Sequence, residues 1–478
     1  MNRSEQSVRP NNSKAVLLTQ EMPSRSRLSR SLPFLALALV PFFLQCLIQS
    51  VSDLRSYPAI DLRSKVVGAR LLAAGHDPYV SYEDPQHSEY FKSTTRPNYT
   101  PVLLALYVPL SSLQWWTQRA IYFALDWLFA AAALCLLLRY FCDTREKKYV
   151  CWIVYAVFIF CSYAFRIHLE RGQYYVFLLL LTCQVAVALK KGWSGWLACV
   201  PAALLLLVRP TYGLILPVAF LCFGARRWTL RVVVVAATIF ALTLPLGGIQ
   251  RWAGFMHNVR SAQQLHLNEI MNGCSVATKA APPTSVEPSL IENIDFSRAL
   301  EHRAINGTFI GIVGWVLGHS DVLVFLRRYC STHWITLANS AGTAVVLLCG
   351  VGIIWISRKR SVSPTFLIAF LALWPTAFEI FGPERFLYTS VVEVLPLVLV
   401  LLDWGRFQRG SGGWVKYFVL PALLALGLLP PIAFQLGQKH GIIATPMSAA
   451  TLVILPLSLF AYTGYAIWAS PRRNTKMT

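Results

Sequence analysis

The sequence predicts an all-α protein that crosses a membrane many times. Of its 478 residues 55% are hydrophobic, whereas only 14% are charged. The hydrophobic residues are gathered into long runs, and a helix needs about 20 such residues to cross a bilayer. Short clusters of Lys and Arg flank many of these runs, as they do in the cytoplasmic loops of membrane proteins. The formal net charge of +21 is therefore an orientation signal, and no nucleic-acid partner is expected.

Apolar runs recur along the whole chain. They lie at about 31–50, 99–115, 118–139, 149–165, 172–189, 194–208, 210–224, 231–247, 333–357, 364–380, 386–403, 415–432 and 446–469. The basic clusters between them are expected on the cytoplasmic side. These clusters are Arg139 to Lys148, Lys190-Lys191, Arg226-Arg227, Arg358-Lys359-Arg360, Arg406 with Arg409, and Arg472-Arg473. Both chain termini are then expected in the cytoplasm.

The run at 99–115 is predicted not to cross the membrane completely. If the first span leaves a basic cytoplasmic N-terminus, residues 51–98 are external, whereas the cluster Arg139 to Lys148 is internal. An odd number of crossings must separate the two, yet two apolar runs lie between them. The first of these contains Pro101 and Pro109 and is short for a span. We therefore predict a partial or re-entrant segment there, and about twelve crossings in total.

The same pattern divides the chain into five segments. Residues 1–31 are polar and predict a disordered cytoplasmic leader. Residues 32–247 form a membrane module with an external loop at 51–98, and 248–332 form an external segment with an interfacial helix at 306–317. Residues 333–470 hold the C-terminal transmembrane helices, and 471–478 form a cytoplasmic tail.

The first external loop concentrates ionisable groups beside a predicted span. They are Asp61, Arg63, Lys65, Arg70, His76 and Asp77. From Asp61 onward the apolar residues fall mostly on one side of a helical wheel, which predicts an amphipathic helix lying in the interface plane. Gly75 is expected to end this helix in a left-handed cap, and Asp77-Pro78 to form a turn. Asp61 is then expected at the membrane surface, within reach of lipid head groups and water.

The predicted topology brings polar segments from distant parts of the chain to the external face. They are the loop 51–98, the loop Arg166–Gln173, the turn Arg209-Pro210, the segment 248–332 and the segment Phe381–Arg385. Convergent polar groups of this kind are typical of an active site.

Several short motifs in these segments resemble those of glycosyltransferase family 87. They are Asp61 followed by Gly75-His76-Asp77-Pro78-Tyr79, Tyr99-Thr100-Pro101 with Pro109-Leu110, Gly172-Gln173, Arg209-Pro210 and Asn306-Gly307-Thr308. The family is similar to the mannosyltransferases that use polyprenyl-phosphate-mannose. The resemblance implies a helical bundle of GT-C type, with its active site in the first extracytoplasmic loop. It also implies transfer of a hexose, with mannose as the expected sugar, from a polyprenyl-phosphate donor to a lipid-linked or glycan acceptor at the plasma (inner) membrane.

The resemblance and the charge pattern together predict roles for individual residues. Transfer from a lipid phosphate needs a base for the acceptor hydroxyl and cations for the leaving phosphate. Asp61 is the predicted base, and Arg209, Arg63 and Arg385 are the predicted phosphate ligands. The residues predicted to bind the sugar or the acceptor are Gln173, His168, Asn306, Tyr79, Tyr99 and Glu384. The residues predicted to shape the loop are Gly75, His76, Asp77 and Pro78.

The predicted base and cations also have structural interpretations. Asp61 could cap its helix, because Asp is a favoured N-cap residue. Arg209 could extend to the interface as a membrane arginine without a ligand. Arg385 could simply pair with Glu384.

The predicted sugar ligands have structural interpretations as well. His168, with Glu170 and Arg171, could belong to a solvated loop, and Asn306 could cap a helix. Aromatic side chains are common at membrane interfaces without any ligand. Tyr79, Tyr99 and Trp374 could therefore be such interfacial residues, or they could stack on a sugar or a polyprenyl chain.

No metal and no organic cofactor is expected. The sequence contains no nucleotide-sugar motif, P-loop or dinucleotide-binding glycine motif, and its eleven Cys form no CxxC pair. Two further functions stay open. A transporter or flippase for lipid-linked sugars would place ionisable groups within the spans, and Asp126 lies within one. A non-catalytic assembly subunit that recognises glycan would keep the fold without the reaction.

Overall fold

The fold is described from a computed structural model. It covers residues 27–56, 59–79, 99–160, 163–222, 226–272, 332–381, 387–403 and 441–472. Three predicted site residues, Asn306, Glu384 and Arg385, lie outside these ranges. So do the predicted span at 415–432, the interfacial helix at 306–317 and most of the predicted N-terminal leader.

The described chain is helical and contains no β-strand, which confirms the predicted all-α class. The first half of the chain contains α1 (Arg27–Ala38), α2 (Val40–Ser56), α3 (Ile60–Ala73), α4 (Pro101–Ser111), α5 (Trp115–Tyr140), α6 (Arg145–Ile159), α7 (Tyr163–Arg171), α8 (Tyr175–Lys191), α9 (Trp196–Val208), α10 (Pro210–Cys222) and α11 (Arg226–Asn272). The second half contains α12 (Thr332–Ser357), α13 (Pro364–Glu379), a 3₁₀ helix at Leu387–Glu393, α14 (Val394–Leu402) and α15 (Gly441–Ala469).

Within the described ranges, four helical stretches are long and apolar enough to cross a membrane. They are Ser31–Ser52, Trp115–Tyr140, Arg226–Leu246 and Leu337–Ser357. The helices α6 and α7, which meet at a bend of 54°, make a fifth if they are counted as one broken span. The protein is thus an integral membrane protein, while the total of twelve crossings stays a prediction.

Helix α4 is too short to cross a membrane, although it lies in the apolar run 99–115. Its eleven residues extend for only about 16 Å at 1.5 Å per residue, against a hydrocarbon core of about 30 Å. The side chain of Thr100 caps this helix by accepting a hydrogen bond from the Leu103 amide at 3.2 Å, and Pro101 occupies its first turn. This length agrees with the predicted partial segment.

Helix α11 continues past the end of its predicted span. The span predicted at 231–247 ends where Gly248 adopts a φ of 60°, and the chain is helical again from there to Asn272. The segment predicted to be external from 248 onward therefore begins as a helix.

Helix α3 is enclosed, which differs from the amphipathic surface helix that the sequence predicts. It packs along α4 and also contacts α7 and α11. Both Lys65 and Arg63 are buried, whereas Arg70 is exposed. Neighbours thus cover the apolar face and the part of the expected polar face that carries Arg63 and Lys65.

Candidate active site

The carboxylate of Asp61 lies inside the protein at the start of α3. The helix begins after Ala59, whose φ of 45° and ψ of 55° are left-handed, a conformation that costs a non-glycine residue about 1–2 kcal/mol. No side chain caps this end of α3, so Asp61 is not the N-cap that the sequence left open. Asp61 is also only 4% exposed, which differs from the expectation that its carboxylate is within reach of lipid head groups and water.

Two side chains from the corner between α7 and α8 hold the Asp61 carboxylate. Gln173 donates from Nε2 to Oδ2 at 2.6 Å. Arg171 donates from Nε to the same oxygen and from Nη2 to Oδ1 at 3.2 Å. An arginine that contacts both oxygens of a carboxylate is among the stronger protein ion pairs. A carboxylate accepts about four hydrogen bonds, so one position is left for a further donor.

Gly172 lets the corner approach α3 closely. Its φ of +68° is left-handed, and a Cβ atom at this position would lie 2.5 Å from Leu62 Cβ. The corner is closed by the amide of Gly172, which donates to Leu169 O at 3.2 Å, and by the amide of Gln173, which donates to His168 O at 3.0 Å. This is the pattern of a glycine-ended helix, and it places Arg171 and Gln173 on either side of the contact with α3.

Lys65 lies one turn after Asp61 and ties α3 to the same corner. Its ammonium group donates to Gly172 O at 2.6 Å and to Asp61 O at 3.1 Å. Burial lowers the pKa of Lys65 to about 7, and the charges of Asp61 and Asp126 partly oppose this shift.

Three tyrosine rings surround the Lys65 ammonium group. The ring centroids of Tyr99, Tyr174 and Tyr107 lie 4.5, 5.8 and 5.9 Å from Nζ, distances at which cation–π attraction is significant. Tyr99 thus contacts a cation of the protein itself, and its ring is also edge-on to Tyr174.

A second polar cluster forms around Arg209, between α9 and α10. Arg209 donates from Nε to Oε1 of Glu379 at 2.6 Å, and the hydroxyl of Thr211 donates to the same oxygen at 2.6 Å. Arg209 also donates from Nη1 to the hydroxyl of Tyr174 at 3.4 Å. Glu379 is the last residue of α13 and is buried.

The two clusters are joined by consecutive residues. Gln173 contacts Asp61, and the next residue, Tyr174, contacts Arg209. Because neighbouring Cα atoms are about 3.8 Å apart, a carboxylate and a guanidinium lie at one end of α8. Asp61 and Arg209 are thus linked to each other through two adjacent residues, Gln173 and Tyr174.

Arg63 lies on a different side of α3 from the predicted base, Asp61. Two residues along a helix correspond to a rotation of about 200°, so Arg63 and Asp61 point to opposite sides of α3. The Cζ atom of Arg63 lies 4.6 Å from the centroid of the Trp115 ring. The role of Arg63 as a phosphate ligand stays a prediction.

The loop after α3 has the shape predicted from its sequence. Gly75 has a φ of 79°, and the amide of His76 donates to Leu71 O at 2.8 Å. Asp77 accepts a hydrogen bond from the amide of Tyr79 at 2.9 Å in the turn that contains buried Pro78. These contacts fit the loop-shaping roles of Gly75, Asp77 and Pro78, and the exposed His76 follows the cap.

Two aromatic residues predicted as possible sugar contacts serve as packing residues. Tyr79 is buried, its hydroxyl donates to Tyr99 O at 2.5 Å, and its ring is edge-on to Phe255. Trp374 is fully buried and donates from Nε1 to Val346 O at 3.2 Å. Neither ring offers a face to a sugar in this conformation.

The segment predicted as the loop Arg166–Gln173 is mostly helical, because Tyr163–Arg171 forms α7. Glu170 pairs with Arg166 at 2.7 Å, so it is not a solvated loop residue. His168 is buried within the bundle, where its Nε2 lies 3.3 Å from Oδ1 of Asp126. This environment does not support a role for His168 in binding sugar.

Sequence reasoning missed Glu379 and the position of Lys65. Glu379 is the one carboxylate in the apolar run 364–380, and an isolated ionisable residue in such a run is itself a signal of function. Lys65 gave no comparable signal. Among the described residues, no three His, Cys, Asp or Glu side chains form a possible metal site.

Comparison with known families identifies the chain. The model of glycosyltransferase family 87 matches residues 98–362, a little over half of the sequence. The protein belongs to this family and is a membrane glycosyltransferase. The match includes Arg171, Gln173 and Arg209 but begins after Asp61. No curated protein matches the chain.

Proposed function

We propose that the protein transfers a hexose, most simply mannose, from a polyprenyl-phosphate donor to a lipid-linked or glycan acceptor. The observation that carries the proposal is that two consecutive residues at the start of α8, Gln173 and Tyr174, contact Asp61 and Arg209 respectively. One cluster offers a carboxylate for an acceptor hydroxyl, and the other offers a guanidinium for a phosphate. The reaction would take place on the extracytoplasmic face of the plasma membrane.

Asp61 acts as the general base in this proposal. The acceptor hydroxyl donates to the fourth acceptor position of the carboxylate, while Arg171 and Gln173 hold the other three. As the hydroxyl oxygen bonds to the anomeric carbon, its proton passes to Asp61. The bond between the sugar and the phosphate breaks at the same carbon, which inverts its configuration.

Arg209 stabilises the phosphate that leaves. A guanidinium suits this task because it is planar, permanently charged and able to donate two parallel hydrogen bonds to phosphate. Glu379 and Tyr174 fix its orientation, and such fixed donors stabilise developing charge without reorganisation. The polyprenyl chain would lie in the surrounding membrane.

The test is transfer of label from polyprenyl-phosphate-mannose by purified wild type and Asp61→Asn at equal protein concentration. Loss of a general base is expected to reduce the rate by about 10²–10⁴-fold. Asp77→Asn is the matched control, since it makes the same change in the same loop outside the carboxylate cluster, and it should keep most of the activity.

Equal transfer by wild type and Asp61→Asn would refute the role of Asp61. If the wild type uses a nucleotide sugar and ignores the lipid donor, the proposed donor is wrong. Retention of configuration in the product would contradict the single-base mechanism.

A further inference from the structure

Arg63 is a buried cation for which the described residues supply no anion. It is only 8% exposed, and its Nε atom makes no hydrogen bond. Within the described ranges, its guanidinium lies over the face of the Trp115 ring. Burial lowers the pKa of Arg63 to about 10, so the side chain is still cationic at neutral pH.

The contacts of Arg63 do not compensate for the burial of its charge. A buried charge without a counter-ion is strongly destabilising. A cation–π contact offsets only part of that cost. A bound anion would offset the rest of the cost of burying this charge. Within the part of the chain that the structure describes, the side of α3 that carries Arg63 is free for such an anion, because the contacts of Asp61 are on the opposite side.

The surroundings of Arg63 place it at a membrane interface. Trp115 and Trp116 begin α5, a candidate span, and Trp116 is 60% exposed. Tryptophan is enriched at the level of lipid head groups. The other end of α5 leads into the basic cluster at Arg139 to Lys148, so Arg63 lies at the opposite, predicted external, interface.

A second arginine lies on the same face of α3. Arg70 follows Arg63 by seven residues, which corresponds to two helical turns. It is exposed, and its Nε atom donates to Ser111 O at 2.7 Å. This contact holds the side chain at the end of α4, shortly before Trp115, and a second positive charge thus lies two turns along the same face.

We propose that Arg63, Arg70 and Trp115 bind the phosphate of a membrane lipid head group, at a site separate from Arg209. A guanidinium matches the geometry of a phosphate, and Trp116 beside it matches the interfacial depth of a head group. The lipid is an anionic phospholipid at the external interface. The proposal does not depend on the reaction assigned to Asp61.

Binding is measured by native mass spectrometry on the delipidated full-length protein. The probes are phosphatidylglycerol, phosphatidylcholine and polyprenyl phosphate. We expect phosphatidylglycerol to bind wild type at least tenfold more tightly than Arg63→Met, because a hydrogen bond to a charged group contributes about 1.5–3 kcal/mol. Arg139→Met is the control, since Arg139 is an exposed arginine that lies over the Tyr140 ring at 5.6 Å.

The outcomes separate the two sources of lipid phosphate. Equal binding of phosphatidylglycerol by wild type and Arg63→Met overturns the proposal, as does equal binding of phosphatidylcholine and phosphatidylglycerol by wild type. If the substitution weakens only polyprenyl phosphate, Arg63 belongs to the donor site and the separate lipid site is wrong.

Melting temperatures test the same proposal, because it predicts the direction in which Arg63→Met changes them. Without lipid, Arg63→Met should melt at a higher temperature than wild type, because an uncompensated buried charge has been removed. Saturating phosphatidylglycerol should raise the melting temperature of wild type and leave that of the variant nearly unchanged. A variant that melts below wild type both with and without lipid would show that Arg63 has a structural role, and it would overturn the proposal.

Discussion

Arg209 and Glu379 lie 170 residues apart in the chain, and their side chains meet at 2.6 Å. Glu379 ends α13, whereas Arg209 connects α9 and α10. The contact therefore joins the N-terminal half of the bundle to its C-terminal half at the candidate active site.

Substitution of Glu379 should affect donor binding more than the chemical step. Glu379→Gln keeps an acceptor for Arg209 but removes the charge that fixes its guanidinium. We expect KM for the lipid donor to rise about tenfold while kcat changes less, as when an interaction common to ground and transition state is lost. Initial rates over a range of donor concentration give both constants.

Thr211→Val is the matched control for Glu379→Gln. It removes the second donor to Glu379 Oε1 but leaves the ion pair, so KM should stay within about twofold to threefold of wild type, as for the loss of a single neutral hydrogen bond. An unchanged KM in Glu379→Gln would contradict the role of this pair in donor binding.

Alanine at Gly172 should disrupt the candidate site, whereas alanine at Gly192 should not. Both residues have a left-handed φ, but a Cβ at Gly172 would meet Leu62, and one at Gly192 would meet nothing within 4 Å. Both variants lose about 1 kcal/mol or more from the backbone conformation. Gly172→Ala should lose a further 1–3 kcal/mol or so from overpacking.

Thermal unfolding in detergent and sugar transfer by the same samples test this pair. Gly172→Ala should melt below Gly192→Ala and transfer at least about tenfold more slowly, because a misplacement of about 1 Å can cost a hundredfold. Similar transfer rates in the two variants would show that the contact with Leu62 does not position Arg171 and Gln173.

The sequence predicted the helices far better than the contacts between them. Hydropathy predicted α5 at 118–139, and the helix is found at Trp115–Tyr140, because the length of an apolar run is a local property. The side-chain partners of Asp61 and the carboxylate partner of Arg209 lie more than 100 residues away, and one sequence carries no pairing information at that range. The burial of Lys65 was missed for a related reason, since a helical wheel does not show that neighbours cover both faces of α3.

Asp126 and His168 should matter for stability and not for the reaction. Both are buried within the bundle, 3.3 Å apart at their closest. Asp126→Asn should lower the melting temperature, since removing the charge weakens a buried contact. The rate of transfer per folded molecule should stay within about threefold of wild type if the pair only supports packing.

The control for Asp126→Asn is Asp143→Asn, which removes an exposed ion pair with Lys147 and should leave both quantities unchanged. A transporter would behave differently, because ionisable groups within a span are typical of proton or substrate pathways. Loss of transport of a lipid-linked sugar across proteoliposomes in Asp126→Asn, with transfer absent from wild type, would favour that function.

Lys65 should make the free energy of unfolding increase as the pH rises. The pKa of Lys65 is about 7 in the folded protein, against 10.5 for an ordinary lysine. Between these values the unfolded chain binds a proton that the folded chain does not, so increasing pH favours the folded state. The contribution is absent below pH 7, grows towards pH 10, and amounts to at most about 5 kcal/mol.

Lys65→Met isolates this contribution, because other titrating groups are common to both proteins. The difference in melting temperature between wild type and variant should change in favour of wild type as the pH rises from 7 to 10. Tyr99, Tyr107 and Tyr174 attract the charged form of the lysine only, so they oppose the loss of its proton. A difference that stays constant across this range would mean that Lys65 keeps its proton throughout, with the tyrosine rings and the two carbonyl oxygens compensating for its burial.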